Sequence, residues 1–195
     1  MLSKKHLKRS LFLLAGICFS LFTLCGVVQG DTSGKSPWQR LETKHTIIKY
    51  MTVEDLRKFD SNIDYSPGGW SLKSMFSTGD SKNPAGSIAT KLDALYEKVQ
   101  GILGMRGKIK KVVIEVYPNT KELHETYFSI TGRKCHIKGW YIFEVNTIYL
   151  NNDDVHEGIL AHEMAHSIID HYFSVRPPKA TAEILARYVD KQLEF

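Results

Sequence analysis

The chain has 195 residues, 43% of them hydrophobic, which is enough for one ordinary core and a small extra lobe. The formal net charge is +5, but Lys4, Lys5, Lys8 and Arg9 sit in a first stretch of thirty residues that holds no acid, and the remainder is close to neutral. That balance removes the electrostatic case for nucleic-acid binding.

Residues 1–30 read as a targeting segment. A basic start, Lys4 to Arg9, precedes an apolar run from Leu11 to Val28, and Val28-Gln29-Gly30 puts small residues where a signal peptidase reads, before Asp31. The run is also near the lower limit for a spanning helix, so an uncleaved N-terminal anchor is the alternative to a signal peptide. Either reading makes the working domain exported: secreted, periplasmic or attached to the cell envelope, with the membrane touched only through that anchor. Cys18 and Cys25 lie in this segment, so Cys135 is alone in the mature domain and forms no internal disulfide.

Residues 31–83 form an N-terminal segment. Its polar start, to about residue 43, is expected to be a flexible leader. His45 to Met51 is β-branched and aromatic, a strand pattern. Thr52 to Phe59 suits a short helix with Thr52 as N-cap and Asp55 three residues on. A breaker-rich stretch from Ser61 to Gly86 follows, expected to be a surface excursion pinned by Trp70, or a lid over a cleft.

From Pro84 to Leu103 apolar residues recur at three and four, a helix closed by Gly104 and Gly107. Ile109 to Tyr117 is a strand ended by Pro118. Thr120 is expected to cap a short helix to Phe128, and Thr131-Gly132-Arg133 to turn the chain. Gly139–Phe143 and Asn146–Leu150 read as a hairpin turning at Glu144-Val145-Asn146. The next helix has N-caps on offer in Asn151 to Asp154, with Asp154 and Glu157 at capping-box spacing. Pro177-Pro178 stops it, and a last helix runs from about Ala180 to Leu193.

The chemistry is concentrated in His162-Glu163-Met164-Ala165-His166. On a helix, two histidines four residues apart lie one above the other and can share a metal ion. Glu163 lies about 100° round the helix from His162, placed to touch a water on that metal without ligating it. Zinc, one ion, is the cofactor this pattern implies. A catalytic zinc needs a third protein ligand and an open fourth position. Glu183, Asp170, His171, His156 and His136 are the candidates. His171 is turned about 140° off the ligand face, and His156 is remote at the helix start. Asp170 is better placed to orient a histidine than to ligate. Glu183 lies on the separate last helix, which can fold back, and is the preferred third ligand.

His162-Glu163-x-x-His166, a break, then Glu183-Ile184-Leu185-Ala186-Arg187-Tyr188 resembles the gluzincin metallopeptidases. Glu183, Ala186 and Tyr188 match an E-G-x-A-x-Y pattern of the aminopeptidase-like branch, with Ile184 where Gly is usual. The resemblance covers about Ile109 to the end and implies an α+β, zincin-like fold. In that fold a small mixed sheet packs on the motif helix, the Glu-bearing helix follows, and residues 84–195 form the metallopeptidase core. It implies metal ligands His162, His166 and Glu183, with Glu163 as catalytic base in hydrolysis of peptide or protein substrates. It also likens Thr147 to Leu150 to the edge strand along which such enzymes align substrate backbone.

The chain ends twelve residues after Glu183, without the C-terminal domain that walls the cleft in thermolysin-like members. A minimal gluzincin would then take its oxyanion donor from upstream, with Tyr141, Tyr149 or His136 as candidates, or a partner chain would complete the cleft. The alternative reading is a non-catalytic, zinc-stabilised binding module of the cell envelope.

Overall fold

The computed structural model describes residues 38–65 and 83–193. The targeting segment, the start of the leader and most of the breaker-rich stretch, Trp70 included, lie outside the described residues. The chain is α+β. A five-stranded mixed sheet has the spatial order β1-β2-β3-β5-β4, built from β1 Gln39–Glu42, β2 Thr46–Tyr50, β3 Val112–Tyr117, β4 Gly139–Ile142 and β5 Thr147–Asn151. The inner pairs β2–β3 and β3–β5 are parallel, and the outer pairs β1–β2 and β4–β5 are antiparallel. The helices are α1 Val53–Asn62, α2 Pro84–Leu103, α3 Thr120–Thr131, α4 Glu157–Tyr172 and α5 Lys179–Leu193.

Strand alternation decides the layering. Ile48, Val112, Ile114, Val116, Ile148 and Leu150 point to one face and join a core with residues of α1, α2, α4 and α5. The opposite face carries a smaller aromatic cluster, Tyr117 and Tyr149 with Trp140 and Trp38, closed by Leu123 of α3. Residues 39–62 therefore contribute two strands and a helix to the same sheet and core as the residues after 83.

Local signals explain most boundaries. Thr52 and Asp55 form a reciprocal capping box at the start of α1. Asn83 caps α2, Pro84 opens it, and Gly104 closes it at φ 66°, a left-handed conformation that glycine adopts without strain.

Four expectations are corrected. Gln39–Glu42 is not leader but an edge strand, paired antiparallel with β2 from Gln39↔Tyr50 to Glu42↔Ile47; its polar side chains hide the strand period because most of them face solvent. Asn119, not Thr120, caps α3, accepting from the Glu122 backbone N–H at 3.0 Å, and the helix runs on to Thr131. Asp154 does not cap α4. Asn151 Oδ1 gathers the Asp153 and Asp154 backbone N–H groups into a turn, and the helix starts two residues later with His156 as N-cap. Finally, β5 is not an edge, because β3 and β4 flank it on both sides; the edge beside α4 is β4.

Phe59 has no solvent exposure and lies in the core that joins α1 to the sheet. Phe59→Ala is expected to cost about 3–5 kcal/mol in urea unfolding. Val175→Ala, at a residue 81% exposed, should stay within about 0.5 kcal/mol. Equal effects would mean that α1 is not part of the cooperative core.

Candidate metal centre

The centre is built by two packed helices, α4 and α5. Helical spacing brings the His162 and His166 Nε2 atoms to 3.2 Å from each other. The chain leaves α4 through a fixed exit. Arg176 grips the buried Asp170 carboxylate with two N–H groups, at 2.9 and 2.7 Å, and its guanidinium lies 4.3 Å from the centre of the Phe143 ring. After the two prolines, α5 delivers Glu183, whose Oε2 lies 3.4 Å from His166 Nε2 and 3.9 Å from His162 Nε2.

These three atoms fit a metal ion. Ligand atoms about 2.0–2.2 Å from a tetrahedral zinc sit roughly 3.3 Å from one another. The three separations bracket that value, and one ligand atom from each residue lies within 4.8 Å of the others. Hydrogen bonding prepares the same atoms. Asp190 Oδ2 is 2.9 Å from His162 Nδ1, which fixes the ring proton on Nδ1 and leaves the Nε2 lone pair facing the centre. Arg187 Nε donates to Glu183 Oε1 at 2.8 Å, so the other carboxylate oxygen is the one presented.

Electrostatics favours the ligating forms. The hydrogen bond from Arg187, with that residue's positive charge, holds the Glu183 carboxyl below the usual carboxylate range. Burial lowers the His166 pKa, which favours the neutral imidazole that a ligand must be. Glu163 behaves oppositely. It is 9% exposed, and burial pushes its carboxyl up to about 7, with Glu183 and Asp190 adding to the rise while His162 and the Tyr141 backbone oppose it. A carboxyl poised there can both take and give a proton near neutral pH.

A cleft of about 510 Å³ opens beside the centre, lined among others by Gly139, Ile159, His162, Glu163 and Asp190. It lies between the start of β4 and the first turns of α4. Gly139 allows that closeness, since a Cβ there would stand 2.6 Å from Leu150 Cδ2 and 3.3 Å from Ile159 Cγ2.

His162, Glu163, His166 and Glu183 thus come together. The other residues singled out in the sequence find these partners. Asp170 pairs with Arg176 and does not orient a histidine; Asp190, two helical turns beyond Glu183, does so. The i, i+7 spacing from Glu183 was the available signal. The Tyr141 hydroxyl is engaged by Asn146 and His171. Tyr149 stacks on Trp140 at 4.7 Å on the opposite face of the sheet. His136 packs edge-on to His124 of α3. Of the residues after Glu183, Ala186 is buried, whereas Tyr188 and Ile184 are exposed, so an isoleucine is tolerated where the resembled pattern has glycine.

No protein-family model, curated protein or solved structure matches this chain.

Two measurements check the centre. Asp190→Ala should weaken zinc binding about 10–100-fold in competition with a chelating dye while leaving the fold intact; unchanged affinity would mean that His162 is oriented by something else. The second concerns the metal-free chain. A carboxyl raised from 4.5 to about 7 on folding contributes stability that is complete below pH 4.5 and lost as pH rises through 7. Glu163→Gln removes that loss, so its stability advantage should grow between pH 5 and 8 to about 2–4 kcal/mol. A gap independent of pH would contradict the burial argument.

Proposed function

We propose that this chain is an exported, zinc-dependent peptidase of the gluzincin kind, with a zincin-like fold, acting on peptides or proteins. The carrying observation is the convergence of His162 Nε2, His166 Nε2 and Glu183 Oε2 at tetrahedral-edge spacing, beside the buried carboxyl of Glu163 and an open cleft. His162, His166 and Glu183 hold the ion. Zinc, when bound, supplies the Lewis acidity that activates water and polarises a scissile carbonyl.

The remaining chemistry belongs to the protein. Glu163 takes the proton of the attacking water and later delivers it to the leaving amine. Asp190 keeps His162 in its ligating tautomer. Arg187 holds the outer oxygen of Glu183, so the ligand is offered through one atom. Among the described residues β4 is an edge strand, which suits an extended peptide that adds to an antiparallel edge through main-chain hydrogen bonds. The exported location is supported by the N-terminal sequence alone.

One observation favours the second reading, a zinc-stabilised binding module of the cell envelope. The Tyr141 hydroxyl, one of the upstream groups considered for steadying an oxyanion, is already engaged by Asn146 and His171. A single variant separates the two. Glu163→Gln should keep about one zinc per chain and lose peptide hydrolysis by about 10²–10⁴-fold. Full activity in the variant would remove Glu163 from the mechanism. Zinc binding with no hydrolysis by the wild type across a peptide library would leave the binding module.

A further inference from the structure

Glu163, Ser167 and His171 are spaced four apart along α4 and line one face of it. Tyr141 of the edge strand β4 meets this row through its hydroxyl, which lies 3.2 Å from His171 Nδ1. The same hydroxyl is 3.1 Å from Asn146 Oδ1, and Ser167 donates to that oxygen from 2.9 Å.

The proton assignments follow from fixed donors. Asn146 Nδ2 donates to the Lys111 carbonyl at 3.1 Å, so Oδ1 is the end that meets both hydroxyls. Tyr141 and Ser167 must therefore both donate to it. The Tyr141 oxygen is left to accept from His171 Nδ1–H, which also reaches the Ser167 carbonyl at 3.2 Å. Asn146 is buried and holds its place at φ 46°, a left-handed conformation that asparagine tolerates better than most residues. Burial also raises the Tyr141 pKa, which keeps the donor proton in place.

We propose that Tyr141 is a positioning residue: its hydroxyl clamps β4 to α4 and so sets the distance between the Glu163 carboxylate and a peptide carried on that strand. The proposal rests on the peptidase reading above. A substrate paired to β4 moves with the strand. Loosening the clamp leaves the strand–peptide hydrogen bonds alone and lengthens the reach from Glu163, so kcat falls while KM holds.

Tyr141→Phe tests this cleanly. The ring stays, Asn146 Oδ1 keeps Ser167, and His171 keeps the Ser167 carbonyl. No buried polar atom of the cluster loses its last partner, so the full-length variant should fold and bind one zinc. On a quenched-fluorescent peptide cleaved by the wild type, kcat should fall about 10–100-fold, the scale of an ångström-level misplacement, with KM within about twofold. Amide hydrogen exchange at residues 139–142 should speed up while β2 and β3 are unchanged. A rise in KM at unchanged kcat, or unchanged exchange at 139–142, overturns the clamp. If the zinc-loaded wild type cleaves no peptide, the peptidase reading fails, and exchange alone still decides whether Tyr141 holds β4.

Discussion

Two imidazole nitrogens and one carboxylate oxygen point at a single spot between α4 and α5, and a cation is what such a set of acceptors balances. Without one, Glu183 and Asp190 face the histidines across a half-buried gap, and Glu163 sits beside them under a desolvation penalty large enough to carry its pKa to about 7. The rest of the architecture can be understood as what it takes to hold these groups together. The apolar residues of α4 anchor it in the main core, which makes the histidine spacing rigid. The Arg176–Asp170 pair fixes the exit from α4, and with it the return path that brings Glu183 across.

The sheet has a second role. Its parallel centre is a scaffold shared with α1 and α2, whereas its antiparallel β4–β5 hairpin faces the centre. Glycine at position 139 brings the hairpin close to Ile159 at the cleft, and the Asn146 cluster ties it to α4 further along. The cleft is therefore bounded by two elements joined through hydrogen bonds and not through packing alone, which makes its width a property of specific side chains.

The motif helix, Glu183 and the hairpin were legible because each is written in local terms: a four-residue spacing, a glutamate beyond a double proline, a turn with asparagine at its corner. The capping box of Thr52 and Asp55 was legible for the same reason. What stayed hidden depends on partners distant in sequence. β1 is a polar edge strand whose pattern appears only once β2 is beside it. The place of β5 in the sheet interior follows from its parallel pairing with β3, which no turn signal announces. Asp170 and Asp190 are equivalent in type, and only the path of the chain after Arg176 decides which one meets a histidine. Tyr141 could be placed on a strand from sequence, but not turned toward Asn146.

The most direct test of the account is the X-ray absorption fine structure at the zinc edge of the zinc-loaded full chain. The expected result is a four-coordinate site with two imidazoles, one carboxylate oxygen and one further light atom at about 2.0–2.2 Å, with no sulfur. A sulfur ligand at about 2.3 Å would bring one of the cysteines, Cys18, Cys25 or Cys135, to the metal. That result, or an oxygen shell without imidazole, would contradict the centre formed by His162, His166 and Glu183.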